Sequence, residues 1–191
     1  MFTGIIEEVG TVEGIDRGPR SVRMSIAGQL IFSDLKLGDS VAVSGVCLTV
    51  SAISNPQFTA DVMPQTLDHT ALGALRPGSL VNLERAMAAN GRFGGHMVSG
   101  HIDDTGKIVS LRPDDNAVWV TIMAGPEVLR YVIPKGSIAI DGISLTVAEM
   151  DASGFSVSII PHTARETTLL SKQPGDLVNL ECDLVGKYVE K

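Results

Sequence analysis

Two stretches of the chain, SVAVSGVCLTV at residues 40–50 and SIAIDGISLTV at residues 137–147, are copies of one another. Six of their eleven positions are identical, and most of the others exchange similar side chains. The first copy consists mainly of β-branched and apolar residues bounded by Gly38 and Gly45, which is typical of short strands. The chain therefore contains a duplicated β unit.

The duplication extends over both halves of the chain. PGSLVNLE at residues 77–84 matches PGDLVNLE at residues 174–181. A period this long, repeated only twice, indicates two similar domains rather than a solenoid, whose units are shorter and more numerous. We predict an N-terminal domain at residues 1–96, a C-terminal domain at residues 97–186 and the start of a C-terminal helix at residues 187–191.

Each half consists of five or six short strand-like segments separated by Gly and Pro turns. They predict an all-β fold with one small antiparallel barrel per half, because closure removes the exposed edges of an open sheet. Only the segments near residues 64–73 and 161–170 are predicted to form short helices. Each of them begins at a proline, which is tolerated in a first helical turn.

The composition argues against several classes of partner. The net charge is −7 with 15 Lys and Arg, and no basic cluster stands beside aromatic residues, so we expect no nucleic-acid binding. Glu7 and Glu8 interrupt the first apolar run, so we expect neither a signal peptide nor membrane association. Two distant cysteines, Cys47 and Cys182, make no disulfide framework, and we expect a cytoplasmic protein.

Four motifs together resemble the riboflavin synthase family: MFTGI at the start, GVCLTV at 45–50, GISLTV at 142–147 and GGHMVSGHID at 94–103. The resemblance covers essentially the whole chain. It implies two tandem homologous six-stranded antiparallel Greek-key β-barrels with short helices, followed by a C-terminal helical segment. Family members usually continue as a longer C-terminal helix than residues 187–191 provide, so either the sequence ends early or assembly is weaker.

The activity that the resemblance implies is the final step of riboflavin biosynthesis, without a cofactor. Two molecules of 6,7-dimethyl-8-ribityllumazine react by transfer of a four-carbon unit, giving riboflavin and 5-amino-6-(D-ribitylamino)uracil. The reaction begins with loss of a proton from the methyl group on C7 of one lumazine. The resemblance further implies a homotrimer, with each active site between barrels of neighbouring subunits, and leaves open an association with lumazine synthase.

The candidate catalytic residues lie where the two halves differ. Cys47 and Ser144 occupy the same place in the two copies, where a thiol or hydroxyl could donate to, or add to, the electrophilic ring carbon. The alternative for Cys47 is a small buried hydrophobic residue. His101 stands where the first half has Ile5, and imidazole suits acid–base chemistry. We expect Cys47→Ser and His101→Gln to lower turnover tens-fold without abolishing binding.

Two further catalytic candidates come with the resemblance, Ser40 and Asp141. Asp141 could hold a ribityl hydroxyl, or it could be a turn residue before Gly142. The position that matches Asp141 is Ser44, where the family often has asparagine. His96 could make a structural hydrogen bond at the joint between the halves, and because it would face the opposite side of a strand from His101, no metal site is expected.

The substrate contacts implied by the resemblance are mainly short, uncharged segments, because small barrels bind flat heteroaromatic rings largely through backbone groups. In the first half they are Gly4, Ile5, Ile6, Cys47, Leu48, Thr49, Asp61, Val62, Met63, Pro64, Gln65 and Thr66. In the second half they are Gly100, His101, Ile102, Ser144, Leu145, Thr146, Ser158, Ile159, Ile160, Pro161, His162 and Thr163. Phe2 and Lys135 complete the set, whereas the duplicated Glu84 and Glu181 are predicted to be structural.

Two other functions agree less well with the sequence. A non-catalytic lumazine- or flavin-binding antenna protein of the same family would tend to lose the motif in one half, yet both halves keep Gly-x-(Cys/Ser)-Leu-Thr-Val. A flavin-binding barrel of the ferredoxin-reductase type would need a nicotinamide-binding domain with a glycine fingerprint, which the sequence lacks.

Overall fold

Two closed antiparallel barrels of six strands each make up the computed structural model, which describes residues 1–18 and 21–191. The first barrel contains β1 (Glu8–Arg17), β2 (Val22–Ala27), β3 (Ser40–Val43), β4 (Val46–Ser54), β5 (Gln57–Val62) and β6 (Leu80–Arg85). The second contains β7 (Asp104–Asp114), β8 (Ala117–Met123), β9 (Ser137–Ile140), β10 (Ile143–Met150), β11 (Gly154–Ile159) and β12 (Leu177–Cys182). The predicted all-β fold of two six-stranded barrels is confirmed.

Both barrels have the same topology. The strand order is β1-β2-β5-β4-β3-β6 in the first and β7-β8-β11-β10-β9-β12 in the second, each ring closing on itself. The chain passes from β2 to β3 without pairing those strands, and β3, β4 and β5 then form a meander, which is a Greek-key arrangement. Each strand is hydrogen-bonded on both sides, so neither barrel has a free edge.

Strand alternation separates a core face from an outer face on the β3–β4 hairpin. Val41, Val43 and Leu48 are buried in the first barrel's core, together with residues from every other strand. Ala42 on β3 and Cys47 on β4 alternate with these core residues and therefore point to the opposite, outer face, where they join a separate apolar cluster between the barrels. The candidate residue Cys47 thus lies on the outer face of the hairpin.

Short helices fill the connections, and two begin at the predicted prolines. They are α1 (Pro64–Asp68), α2 (Pro126–Leu129), α3 (Pro161–Glu166) and α4 (Leu184–Glu190). Three 3-10 turns lie at Leu30–Ser33, Ala71–Ala74 and Leu169–Ser171. The C-terminal helix begins at Leu184 rather than at residue 187, because the Asp183 side chain caps it by accepting from the Val185 N–H. No helix in the described part of the chain is long and apolar enough to span a membrane.

The β3–β4 hairpin and its copy, β9–β10, meet each other at their turns. Both residues of each turn have positive φ: 43° and 84° at Ser44 and Gly45, and 46° and 81° at Asp141 and Gly142. These values fit the type I′ turn that suits the twist of a two-residue hairpin. A Cβ on Gly45 would lie 2.7 Å from the Gly142 nitrogen, so the backbones touch here and only glycine fits.

Two fully buried asparagines, Asn82 and Asn179, join the barrels beside these turns. Each uses its side-chain amide to donate to the other barrel's turn and its oxygen to accept from the other barrel's loop. The bonds run from Asn82 Nδ2 to Asp141 O (2.9 Å), from Thr168 N to Asn82 Oδ1 (2.8 Å), from Asn179 Nδ2 to Ser44 O (2.8 Å) and from Ala71 N to Asn179 Oδ1 (2.6 Å). The two barrels are thus fixed to one another by a symmetric set of buried bonds.

Candidate functional site

The segment before each barrel's first strand is held by a glutamate from the same half. Glu84 accepts from Thr3 N at 2.6 Å and from Gly4 N at 3.0 Å. Glu181 likewise accepts from Ser99 N at 2.6 Å, and from Gly100 N at 2.9 Å. Burial raises the pKa of Glu84, although these hydrogen bonds favour its charged form. The structural role predicted for both glutamates agrees with this geometry.

The held segments then cross to the opposite barrel. Gly4 O accepts from Ser144 N, and Gly100 O accepts from Cys47 N, both at 2.8 Å. A Cβ on either glycine would lie 2.5 Å from the Cβ of the Ser144 or Cys47 that it covers, so the close approach requires glycine. Both glycines also have positive φ, 75° and 84°.

The crossing corrects the grouping of contacts expected from the sequence. The sequence groups residues 4–6 with the first barrel, but Ile6 packs against the core of the second. It groups residues 100–102 with the second barrel, but Ile102 packs against the core of the first. The expected grouping is therefore wrong for these two segments, because each glutamate holds its segment in a path that leads away from its own barrel.

The first-barrel site comprises the outer side of β3 and β4, residues 61–66 and the crossing residues 100–102. Cys47 is half-buried, whereas Thr49 and His101 are exposed. β5 pairs with β4 in the antiparallel sense, with Ala60 opposite Val50, so Asp61 and Val62 continue toward the start of β4 and residues 63–66 follow the end of β5. Two predicted contact residues, Leu48 and Val62, turn their side chains into the core and could meet a ligand only through their backbone. In the segment after Val62, Met63, Pro64 and Gln65 are exposed and Thr66 is half-buried.

The second-barrel site has the same plan. It combines Ser144 and Thr146 on β10, residues 158–163 and the crossing residues 4–6. The side chains of Leu145 and Ile159 pack in the core, matching Leu48 and Val62 of the first barrel. Ser158, Ile160, Pro161 and His162 are exposed, Thr163 is half-buried, and the exposed Lys135 lies beside β10, donating its N–H to Val147 O at 2.8 Å.

Phe2 lies between the barrels rather than on either site. It is fully buried and pairs with Val98 in an isolated antiparallel bridge. Around it lie Ala42 of the first barrel and Ala139 of the second, with Cys47 packed against the same cluster. Phe2 therefore supports the floor of the sites and does not itself present a surface to a ligand.

His96 lies at the second site and is bonded to Ser144. Its Nδ1 is 2.6 Å from Ser144 Oγ, while its Nε2 is buried without a hydrogen-bonding partner among the described residues. Burial lowers the pKa of this imidazole, and the nearby carboxylates of Asp183 and Glu181 only partly oppose that effect. The sequence suggested a structural hydrogen bond for His96, but no pattern connected it with Ser144, 48 residues away.

Ser40 borders a cleft of about 630 Å³ beside the first-barrel site. Across the cleft Arg85 pairs with Asp34 and, at 2.5 Å, with Glu7. Burial acts to raise the pKa of Glu7, but the hydrogen bonds from Arg85 outweigh it and the pKa is lowered. The cleft wall thus carries one guanidinium paired with two carboxylates. Ser40, which lies on β3 opposite Thr49 of β4, contributes a hydroxyl to the same wall.

The comparisons with known proteins agree with this architecture. The lumazine binding domain family matches the chain twice, at residues 3–86 and 99–183. The riboflavin synthase of Actinobacillus pleuropneumoniae is 57% identical over 100% of this chain and 89% of its own length. That of Bacillus subtilis is 48% identical over 99% of this chain and 88% of its own. The chain belongs to the riboflavin synthase family.

Solved structures share the fold of this riboflavin synthase family member. LumP complexed with riboflavin superposes with a TM-score of 0.89 at 23% identity, covering 95% of this chain and 99% of that one. LumP complexed with 6,7-dimethyl-8-(1'-D-ribityl) lumazine gives a TM-score of 0.86 at 22% identity, with the same coverage of both chains. At this level of identity the likeness establishes the two-barrel fold alone.

Asp141 lies away from both open faces. It is fully buried; its Oδ1 accepts from Asn179 N at 2.8 Å, and its Oδ2 lies 3.2 Å from Lys172 Nζ. Burial raises the pKa of this carboxyl, with Lys172 opposing the effect. The carboxylate is thus engaged by Asn179 and Lys172, which agrees with the turn role that the sequence left open.

Proposed function

We propose that this chain is a riboflavin synthase that binds two molecules of 6,7-dimethyl-8-ribityllumazine. A four-carbon unit passes from one to the other, giving riboflavin and 5-amino-6-(D-ribitylamino)uracil. The observation that carries the proposal is the preserved pair of sites. Cys47 and Ser144 lie at the same place in two barrels, each covered by a glycine from the opposite half, in a chain 57% identical to a riboflavin synthase.

The protein's share of the chemistry is alignment and proton transfer. Holding two rings in a reactive geometry supplies the proximity that a bimolecular step otherwise lacks. The lumazine ring itself delocalises the charge left when its C7 methyl group loses a proton. In the first-barrel site, the exposed imidazole of His101 is the group suited to exchange that proton, and the half-buried thiol of Cys47 belongs to the same site.

We propose further that the two rings meet across a subunit boundary in a homotrimer. Support comes from the buried cluster of Phe2, Val98, Ala42 and Ala139, which fills the space between the barrels at the sites. Because this layer separates the two candidate sites within one chain, a ring in the first barrel would need a partner ring from another subunit.

A cytoplasmic location is in keeping with the free thiols of Cys47 and Cys182. Association with lumazine synthase stays a prediction.

The second candidate is an antenna protein that binds a lumazine or flavin without reacting it. It is favoured by the fold shared with LumP, whose structures hold lumazine, riboflavin or flavin mononucleotide. Retention of the Gly-x-(Cys/Ser)-Leu-Thr-Val motif in both halves favours the enzyme.

Turnover and stoichiometry separate the two candidates. The purified chain, mixed with 6,7-dimethyl-8-ribityllumazine, should form riboflavin, followed by its absorbance. Calorimetric titration with an analogue that carries oxygen in place of the 7-methyl group should saturate at two ligands per chain. Binding of one ligand with no riboflavin formed would identify the antenna protein.

Substitutions at the first-barrel site test the residue roles. Cys47→Ser and His101→Gln should each lower kcat roughly tens-fold and leave analogue binding nearly unchanged. This is less than the roughly 10²–10⁴-fold typical of general acid–base catalysis, because the lumazine ring itself delocalises the charge. His69→Gln, at an exposed histidine just after α1, is the matched control and should be fully active. Full activity of both site variants would remove these two residues from the mechanism.

A further inference from the structure

The two sites, alike in plan, differ in one contact. At the second site, Ser144 Oγ lies 2.6 Å from His96 Nδ1. At the first site, Cys47 Sγ forms no hydrogen bond with any of residues 1–18 and 21–191. A hydroxyl bonded to a buried imidazole therefore occupies the place where the other barrel has an unbonded thiol.

Backbone contacts hold the imidazole and the hydroxyl in place. His96 N donates to Thr3 O at 3.1 Å, which ties it to the crossing segment. A Cβ on Gly95 would lie 2.6 Å from Ser144 Oγ, and one on Gly4 would lie 2.5 Å from Ser144 Cβ. Ser144 is thus packed between two glycine backbones, and the hydrogen bond to His96 is part of a close-packed arrangement.

The surroundings of the ring determine which nitrogen carries the proton. Burial lowers the pKa of His96, so the ring is neutral near pH 7 even beside Glu181 and Asp183. A proton on Nε2 would be a buried donor without a partner in the part of the chain that the structure describes, which costs about 1–3 kcal/mol. An unpaired acceptor is tolerated more often than an unpaired N–H. The favoured tautomer therefore has its proton on Nδ1, which donates to Ser144 Oγ.

This tautomer sets the direction of the serine hydroxyl. Since Ser144 Oγ accepts from His96, its own hydrogen cannot point at the imidazole and must point elsewhere. We propose that His96 is a positioning residue that turns the Ser144 hydroxyl into a hydrogen-bond donor toward an acceptor atom of the ring bound at the second-barrel site. The inference rests on the proposed function, because it assumes a lumazine at that site.

The consequence is a chemical difference between the two pockets. A hydroxyl donor is stronger than a thiol, and it is strengthened further when the acceptor carries negative charge. The second pocket should therefore favour a ring oxygen or nitrogen on which negative charge is concentrated. The first pocket, with Cys47, has no comparable donor at the equivalent position.

The test measures analogue binding to four variants of the full chain. The probe is the 7-oxo lumazine analogue, titrated by calorimetry and fitted with two classes of site. Ser144→Ala and His96→Leu should each weaken the same class about three- to tenfold, the range for one lost hydrogen bond, and leave the other class unchanged. His96→Asn, whose amide N–H can replace Nδ1–H, should recover most of the loss. The double variant Ser144→Ala/His96→Leu should bind no more weakly than Ser144→Ala.

Other outcomes would overturn the inference. Wild-type affinity in His96→Leu, additive losses in the double variant, or failure of His96→Asn to recover binding would each show that His96 does not act through the Ser144 hydroxyl. If His96→Leu does not fold by circular dichroism, Ser144→Ala and His96→Asn still decide. Riboflavin formation by the wild type is a separate result, so the proposed function can hold while this inference fails.

Discussion

The two barrels have the same strands in the same order, but the residues at many matched positions differ, and two of these differences concern the hairpins that meet between the barrels. At the hairpin turns, Ser44 in one barrel corresponds to Asp141 in the other, and on the outer face Cys47 corresponds to Ser144. The contacts that join the barrels are symmetric, whereas the groups available for chemistry are not. The packing of the barrels therefore depends on residues that are the same in both halves, whereas the chemistry of each site depends on residues that differ.

The largest effect on stability is expected from a substitution that disrupts the contact between the two hairpin turns. In Gly142→Ala, the new Cβ would lie 2.8 Å from the Gly45 nitrogen, at a φ of 81° that L-residues rarely adopt. We expect the free energy of unfolding in urea to fall by about 3–5 kcal/mol, or the chain not to fold at all. Gly38→Ala is the control: its φ is 86°, but no atom lies within 4 Å of the new Cβ, so only the backbone cost of about 1–2 kcal/mol applies. Equal losses in the two variants would show that the turns do not touch.

The buried asparagines provide the second test. Asn179→Leu would leave Ser44 O and Ala71 N without their partners from the other barrel. Each buried group left unpaired costs about 1–3 kcal/mol, or about 2–6 kcal/mol for the two. Burial of the apolar leucine side chain offsets part of this, so we expect a net loss of about 2–4 kcal/mol. Asn82→Leu breaks the equivalent pair of bonds and should cost nearly the same. The free energy of unfolding of both variants is measured by urea denaturation. If only one of them lost stability, the two halves of the interface would not be equivalent.

The fold was predictable because duplication and strand alternation are local properties of the sequence. The copies at residues 40–50 and 137–147 fixed the repeat, and prolines at 64 and 161 marked the starts of α1 and α3. The exchange of residues 4–6 and 100–102 was not predictable. It depends on the direction in which each segment leaves the glutamate that holds it, Glu84 or Glu181. Because both segments have the same sequence pattern, the pattern does not show which barrel each of them reaches.

The sequence identifies candidate site residues more readily than it identifies their arrangement. The divergent pair Cys47 and Ser144 is visible in an internal alignment, but the bond between Ser144 and His96 joins residues that share no spacing or period. Likewise Asp141 has the chemistry of a ligand-binding residue, and only the three-dimensional structure shows that its carboxylate is enclosed with Lys172. Sequence patterns report periodicity and composition, whereas enclosure depends on how the two barrels pack.

A third test concerns the carboxyl group of Asp141 in the second barrel's turn, which Ser44 in the first barrel's turn lacks. Because burial raises the pKa of Asp141, the folded protein binds a proton more readily than the unfolded chain, and wild-type stability falls as pH rises through the range between the unfolded and folded pKa values. Asp141→Asn removes this dependence and should gain stability relative to the wild type as pH rises, by up to about 1.4 kcal/mol per pH unit. Urea denaturation between pH 4 and 8 measures the difference. A difference that stays constant with pH would contradict the raised pKa.

The smallest change in stability is expected from a substitution that makes the first turn resemble the second. Ser44 has a φ of 43°, a region in which asparagine is strained less than serine, and its Oγ accepts from Asn82 N at 3.3 Å. The matching bond from Asn179 N to Asp141 Oδ1 is shorter, at 2.8 Å, and a cavity of about 300 Å³ beside Ser44 has room for a longer side chain. Ser44→Asn should therefore stabilise the protein by about 0.5–1 kcal/mol at every pH, since it adds no charge. Ser44→Asp should instead destabilise it, because the position that matches Lys172 is Leu75, and Lys172, which lines the same cavity, is already paired with Asp141. If both variants were equally stable, the difference between the turns would not depend on charge.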